Sequence, residues 1–173
     1  MKIFDIPELT EAEKRLPVSK YYTEYPSNAH RGDYDMSLKV DTLFEHTREL
    51  VRDFINAKSS KEIIFTSGTT DSINKTIFGY FKNILKENDE IILTKSEHAS
   101  NILPWFELAD LLKLKIKYIE LNFNNEVTIE NLQKVITPNT KVISLALITN
   151  VIGDIRPMKE IIKAADRKST RLN

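Results

Sequence analysis

Three short polar segments each stand where an apolar run gives way to a helical pattern. They are Phe65-Thr66-Ser67-Gly68-Thr69-Thr70, Glu97-His98-Ala99-Ser100-Asn101 and Thr149-Asn150-Val151-Ile152-Gly153. In the first, Ser67-Gly68-Thr69-Thr70 would open a helix, so free N–H groups and the positive end of the helix dipole face any anion placed there. Gly68 permits close backbone approach, and the Thr69 and Thr70 hydroxyls add donors. A phosphate fits such a turn. The same cluster also serves as an ordinary helix cap. It is neither a Walker loop, since no Gly-Lys-Ser/Thr follows, nor the three-glycine dinucleotide fingerprint.

His98 comes just after a strand-like run, so its ring can project over the same rim, to stack on a flat ligand or to act as an acid or base. The alternative is a turn histidine bonded to nearby backbone. Asn150, before the turn that Gly153 permits, could donate its amide to a ligand oxygen or simply close that turn. A metal site is not expected: His30, His46 and His98 are widely spaced and the chain has no cysteine. An anion cradle, a stacking imidazole and an amide donor at successive strand ends match the needs of pyridoxal phosphate: a phosphate, a flat ring and a phenolic oxygen.

The elements that would position these segments alternate along the chain. Val18 to Tyr25 reads as a short helix or helix end closed by Pro26, with Pro7 and Pro17 limiting any helix between them to a short one starting near Pro7, and residues 27–33 have loop composition. From Asp41, the residues Leu43, Phe44, Leu50, Val51, Phe54 and Ile55 recur at helical spacing, predicting an amphipathic helix packed on one side. Strands are then predicted over 62–66, 90–94, 116–121 and 141–149. Helices are predicted over 70–86, 101–113 with Pro104 in the first turn, 129–136 and 157–168. Short buried strands alternating with helices call for an α/β fold: a mainly parallel sheet with helices on both faces and right-handed crossovers. Ligands in such sheets collect outside the carboxyl ends of the strands, where all three polar segments fall.

Composition narrows the function classes. Lys+Arg 25 balance Asp+Glu 25 over 173 residues, so no overall field favours nucleic acid or an anionic membrane. The absence of cysteine excludes disulfides, thiolate metal sites and a cysteine nucleophile within this chain, and is compatible with a cytoplasmic protein. No secretory signal and no bilayer-length apolar run is visible.

The quoted segments resemble the class V aminotransferase family, and within it the cysteine desulfurases of the selenocysteine lyase-like branch. Residues 65–74 resemble that branch's phosphate-binding turn. Glu97-His98-Ala99-Ser100-Asn101-Ile102-Leu103-Pro104-Trp105 is similar to its Glu-His-His-Ser-Asn-Ile-Val-Pro-Trp segment, with Ala99 for the second histidine. Asn150-Val151-Ile152-Gly153 is similar to its Ser-Asn-Val-Leu-Gly turn, with Thr149 for the serine, and His30-Arg31-Gly32 and residues 54–57 also match. The likeness runs from Val18 to Ala165.

This resemblance implies part of a fold-type I pyridoxal-phosphate large domain over 18–168, with 1–17 unassigned and 169–173 an atypical polar tail. It implies that Thr70, with the Gly68 and Thr69 backbone, holds the phosphate of pyridoxal 5'-phosphate, that His98 stacks on the pyridine ring and that Asn150 reaches the phenolic oxygen. The implied enzyme converts L-cysteine to L-alanine and a persulfide for iron–sulfur cluster or thiocofactor assembly, as a homodimer with a possible sulfur-acceptor protein. No catalytic residue is assigned. The family's pyridine-nitrogen aspartate, Schiff-base lysine and persulfide cysteine would lie beyond Asn173, and its amino-terminal Asp-Asn-Ala-Ala segment is not recognisable in Met1 to Pro17. Truncation, frameshift or a joined sequence at both ends is therefore expected, with no activity for the chain alone. Another enzyme of the family, or a non-catalytic α/β module that binds a phosphorylated ligand or a partner, remains as an alternative.

Overall fold

The computed structural model describes residues 11–169, with side chains over 18–166. The readings on Pro7 and on the tail after Ser169 lie outside the described residues. The chain divides into two compact units, Met1–Phe65 and Thr66–Asn173.

In the first unit, helix α1 (Glu11–Glu24) runs across Pro17, so the stretch from Val18 is the end of a helix and not a separate short one. A proline forgoes one intrahelical hydrogen bond, and here the helix continues regardless. Helix α2 (Asp35–Ile55) begins six positions before the predicted start, and Asn56 closes it in the left-handed conformation that asparagine tolerates. Contacts within the unit run through Ser37, whose hydroxyl donates to Asn28 O at 3.2 Å, and through Arg48, which donates to Ile63 O at 2.6 Å. The Arg48 guanidinium also lies over the Phe44 and Phe65 rings. The predicted one-sided packing of α2 is not found: Leu43, Leu50, Phe54 and Ile55 are exposed. Nor does the predicted strand over 62–66 form. The Ile63 N–H is spent on Ser60 O after a 3₁₀ turn (Ser60–Glu62), and the Ile63 carbonyl is taken by Arg48, so these groups cannot enter a ladder.

The second unit is a layered α/β structure. Strands β1 (Glu90–Leu93), β2 (Lys115–Tyr118) and β3 (Thr140–Ile143) form a parallel sheet in the order β2-β1-β3. Side chains of a strand alternate between faces, and β1, buried throughout, feeds two cores. Ile91 and Leu93 join Ile77 of α3 (Thr69–Gly79) with Trp105 and Leu108 of α4 (Leu103–Leu112). Ile92 joins Leu132 of α5 (Ile129–Val135) with Ile161 and Ala164 of α6 (Met158–Ser169) on the other face. Helices therefore cover both faces, as the alternation predicts. Each fully buried Ile or Leu contributes about 1.5–3 kcal/mol of transfer free energy, so the central strand is the anchor from which the strand-end loops project.

Local chemistry sets the helix ends. Pro104 occupies the first turn of α4, and Thr128 caps α5 by accepting the Asn131 N–H at 3.2 Å. Helix α3 stops at Gly79, short of the predicted Lys86. Asn83 donates its amide to the freed Gly79 carbonyl at 2.7 Å, and Phe81 turns in against Trp105 with ring centroids 5.2 Å apart.

Candidate functional site

The cradle segment stands at the amino end of α3. Gly68 has φ 157° and ψ 179°, a region that is nearly glycine-only, and a Cβ added there would meet nothing within 4 Å. The first N–H groups of a helix have no intrahelical partner, and α3 has no side-chain cap to occupy them. Ser72 N–H closes the first intrahelical bond on Gly68 O, so the N–H groups of Thr69, Thr70 and Asp71 are those left by the helix. Asp71 instead organises the preceding turn, accepting from Ser67 N and Ser67 Oγ, both at 3.1 Å. The Lys75 ammonium and then the Ser67 N–H hold its carboxyl below the usual value, so it stays an acceptor near neutral pH. The donor set is thus open and suited to an anionic oxygen.

His98 lies beyond the carboxyl end of β1 and makes the turn contact of its second reading. Its Nδ1 accepts the Ser100 N–H at 3.1 Å and lies 2.7 Å from Ser100 Oγ, capping a 3₁₀ turn (Ala99–Asn101). Accepting that N–H requires a bare Nδ1, so a neutral ring carries its hydrogen on Nε2. The turn contact holds the exposed ring in place without consuming its faces or Nε2. An open cleft of about 530 Å³ brings His98 together with Thr69, Thr70, Glu97, Asn101 and Ser144. A second cleft of about 390 Å³ shares Thr70 and His98 and continues toward Asn74, Phe78 and Leu103. Asn150 is not among the residues that line either cleft. It is exposed on the turn between Ile148 and Ile155, which pair as an antiparallel bridge, and Gly153 (φ 75°) supplies the positive angle that the turn needs.

Glu97, Asn101 and Ser144 of the cleft lining are bonded to one another and to Arg156, which sequence reading does not single out. Glu97 and Arg156 form a fully buried ion pair. Glu97 Oε1 also accepts from Thr94 Oγ1 at 3.0 Å, and Oε2 accepts from Asn101 Nδ2 and from the Ala146 N–H, each at 2.9 Å. Arg156 donates to Thr94 Oγ1 and Ser96 Oγ at 2.9 Å and to Ala146 O at 3.2 Å. Ser144 Oγ donates to Asn101 Oδ1 at 2.7 Å. These bonds correct the fourth predicted strand, which ends at Ile143 and not at Thr149. The Ser144 N–H still reaches Ile92 O at 3.0 Å, but side chains take over Ser144 O and both backbone groups of Ala146. The signal for Arg156 was absent from the sequence, since a lone arginine before Pro157 has the composition of a solvated loop.

A family model for class-V aminotransferases matches residues 16–172. The chain belongs to the class-V aminotransferase family. A probable cysteine desulfurase of Borreliella burgdorferi is 46% identical over 167 residues, which make up 95% of this chain and 40% of that protein. A probable cysteine desulfurase of Halalkalibacterium halodurans is 40% identical over 85% of this chain and 36% of its own length. The apo cysteine desulfurase of Thermococcus onnurineus NA1 superposes with a TM-score of 0.79 at 33% identity, over 87% of this chain and 37% of that structure. The chain therefore spans well under half the length of these relatives.

Class-V aminotransferases and cysteine desulfurases are pyridoxal-phosphate enzymes, and the α3 turn meets the first need of that cofactor. Uncapped N–H groups, two threonine hydroxyls and a glycine with open space at its Cβ position form a cradle of donors with no side chain filling it. Among the described residues there is no cluster of His, Asp and Glu able to hold a metal ion, and no helix long and apolar enough to cross a membrane.

Proposed function

We propose that this chain carries the phosphate- and ring-holding part of the cofactor site of a pyridoxal-phosphate-dependent cysteine desulfurase. Thr69 and Thr70 bind the phosphate with their hydroxyls and, together with the turn at Gly68, their backbone N–H groups. His98 covers the pyridine ring, and Asn150 donates its amide to the phenolic oxygen. Pyridoxal 5'-phosphate, when bound, supplies the electron withdrawal by which such an enzyme converts L-cysteine to L-alanine and passes the sulfur on as a persulfide. The residues of this chain bind and orient. The α3 dipole and N–H groups fix the anion, and the Ser100 tether presents the face of the imidazole with its hydrogen on Nε2.

The observation that carries this reading is that Thr69, Thr70 and His98, separated in sequence, line one cleft outside the carboxyl ends of the strands. The whole protein is a cytoplasmic homodimer that delivers sulfur to an acceptor protein, and the domain over 18–168 is part of its large cofactor domain. Titration of the chain with pyridoxal 5'-phosphate, followed by absorbance and by quenching of Trp105, tests the assignment. The parent binds weakly and Thr70→Ala weakens binding further. An affinity unchanged by Thr70→Ala removes the cradle from the proposal.

A further inference from the structure

Two of the three site segments are joined to each other by a buried charge pair. Glu97 immediately precedes His98 on the β1 loop, and Arg156 closes the hairpin whose turn bears Asn150. Arg156 is tied into that hairpin by its own N–H, which donates to Leu147 O at 2.9 Å. Asp154, on the same turn, stands with its Oδ2 at 3.9 Å from Arg156 Nε, both atoms buried and without a hydrogen-bond partner. Thr149 and Asp154 close the turn across its neck, Thr149 N donating to Asp154 O at 3.1 Å and Asp154 N to Thr149 Oγ1 at 3.0 Å. The Glu97 carboxylate is saturated on both oxygens by donors from Thr94, Asn101, Ala146 and Arg156. A carboxylate with every acceptor engaged is placed to hold structure and not to move a proton.

Packing does not require charges here, because burying two ions forfeits the hydration of both and an apolar pair of similar volume is often as stable or more so. The pair instead sets geometry. It spans 59 residues and links the end of β1 to the chain that leaves β3. The cradle at Gly68 to Thr70 makes none of these contacts and is organised on its own by Asp71. We propose that Glu97 and Arg156 are positioning residues, a clasp that sets His98 and the Asn150 turn relative to one another and thereby aligns the ring-facing half of the site independently of the phosphate-holding half. The proposal deepens the cofactor reading above and rests on it for the identity of the ligand.

The test uses the full chain, with single variants E97Q and R156M and the double variant E97Q/R156M. R156M leaves the buried Glu97 carboxylate without its counter-ion and E97Q leaves Arg156 only Asp154 at 3.9 Å, so each single variant is expected to unfold or melt early. The double variant leaves only the partly exposed Asp154 carboxylate and is expected to fold. Inorganic phosphate and pyridoxal 5'-phosphate are titrated separately, and the His98 ring and Asn150 amide are followed by NMR. The clasp predicts that the double variant binds inorganic phosphate as the parent does and pyridoxal 5'-phosphate about tenfold more weakly, the lower end of what outer-shell partners cost at other sites. It also predicts that the His98 and Asn150 signals shift together while those of Thr69 and Thr70 stay. A general loss of structure would move both ligands and all four signals. Parent-like binding of pyridoxal 5'-phosphate with unmoved His98 and Asn150 signals overturns the proposal, as does a double variant that unfolds like the singles, which would make the pair a determinant of stability only. If the parent binds neither ligand, the cofactor reading fails, while the joint shift of His98 and Asn150 still decides the clasp.

Discussion

Glu90 opens β1 with its carboxylate buried, and Lys117 of the neighbouring strand β2 brings its ammonium nitrogen to 2.9 Å from Oε1. Thr137 and Thr140 donate their hydroxyls to Oε2, so the chain entering β3 is tied to the same group. Burial pushes the Glu90 pKa up, but the hydrogen bonds from Thr137, Lys117 and Thr140 and the charge of Lys117 together outweigh it and hold the group below its ordinary 4.5. A carboxyl with a lowered folded pKa contributes stability that is fully present above its unfolded pKa and is lost as pH falls through the folded one. Glu90→Gln should therefore cost about 1–3 kcal/mol at pH 7, a difference that narrows as the parent is acidified below the ordinary carboxylate range. Urea midpoints measured from neutral to acid pH check this, and a pH-independent difference would refute it.

Gly68 carries a backbone conformation that alanine adopts only with strain, although there is room for a methyl group. Gly68→Ala should cost about 1–3 kcal/mol if the turn keeps its shape, or turn the Thr69 and Thr70 N–H groups away if it relaxes. Thermal unfolding and phosphate titration separate the two. A variant with parent stability and parent affinity would mean that the turn does not need its observed angles.

Much of the framework was legible because its signals are local. Pro104, Thr128 and the apolar run 91–93 mark their elements without help from the rest of the chain, and the three polar segments carry recognisable residue types, although only Glu97 to Asn101 directly follows a strand. What was not legible depends on distant partners. Ile63 and Ile64 have strand-forming side chains, yet the Ile63 carbonyl belongs to Arg48. The strand through Val142 stops early because Glu97 captures the Ala146 N–H from 49 residues away. Nothing in the sequence pairs Glu97 with Arg156, 59 residues away, and only the fold turns them into a buried pair.

Lys113 ends α4 in the left-handed conformation, φ 56° and ψ 45°, with its N–H on Ala109 O. An L-residue with a β-carbon pays about 1–2 kcal/mol to stand there, which glycine avoids. Lys113→Gly should raise stability by about 1 kcal/mol once the greater freedom of the unfolded glycine is subtracted. Chemical denaturation gives the answer, and a loss of stability would show that the lysine side chain makes a compensating contribution.

His98 offers a face for stacking and an Nε2–H for hydrogen bonding, and two substitutions tell these apart. Stacking of rings is worth about 0.5–1.5 kcal/mol beyond burial. His98→Phe should keep the affinity for pyridoxal 5'-phosphate near that of the parent, whereas His98→Ala should lower it about two- to tenfold. Inorganic phosphate should bind all three alike. Equal weakening by Phe and Ala would assign the contribution to the imidazole nitrogen.

Sulfur transfer as a persulfide needs a thiolate to receive the sulfur, and this chain has no cysteine. The cradle and the His98 ring supply donors and a surface, neither of which can take a sulfur atom. Purified chain mixed with pyridoxal 5'-phosphate and L-cysteine should therefore yield neither protein-bound persulfide nor catalytic alanine above the rate of the free cofactor. Mass spectrometry of the protein and amino-acid analysis of the mixture read the two products. Alanine formed over many turnovers, abolished by Thr70→Ala and absent from mock preparations, would overturn the expectation and require a different sulfur acceptor, such as an added thiol, at the cleft lined by Thr70 and His98.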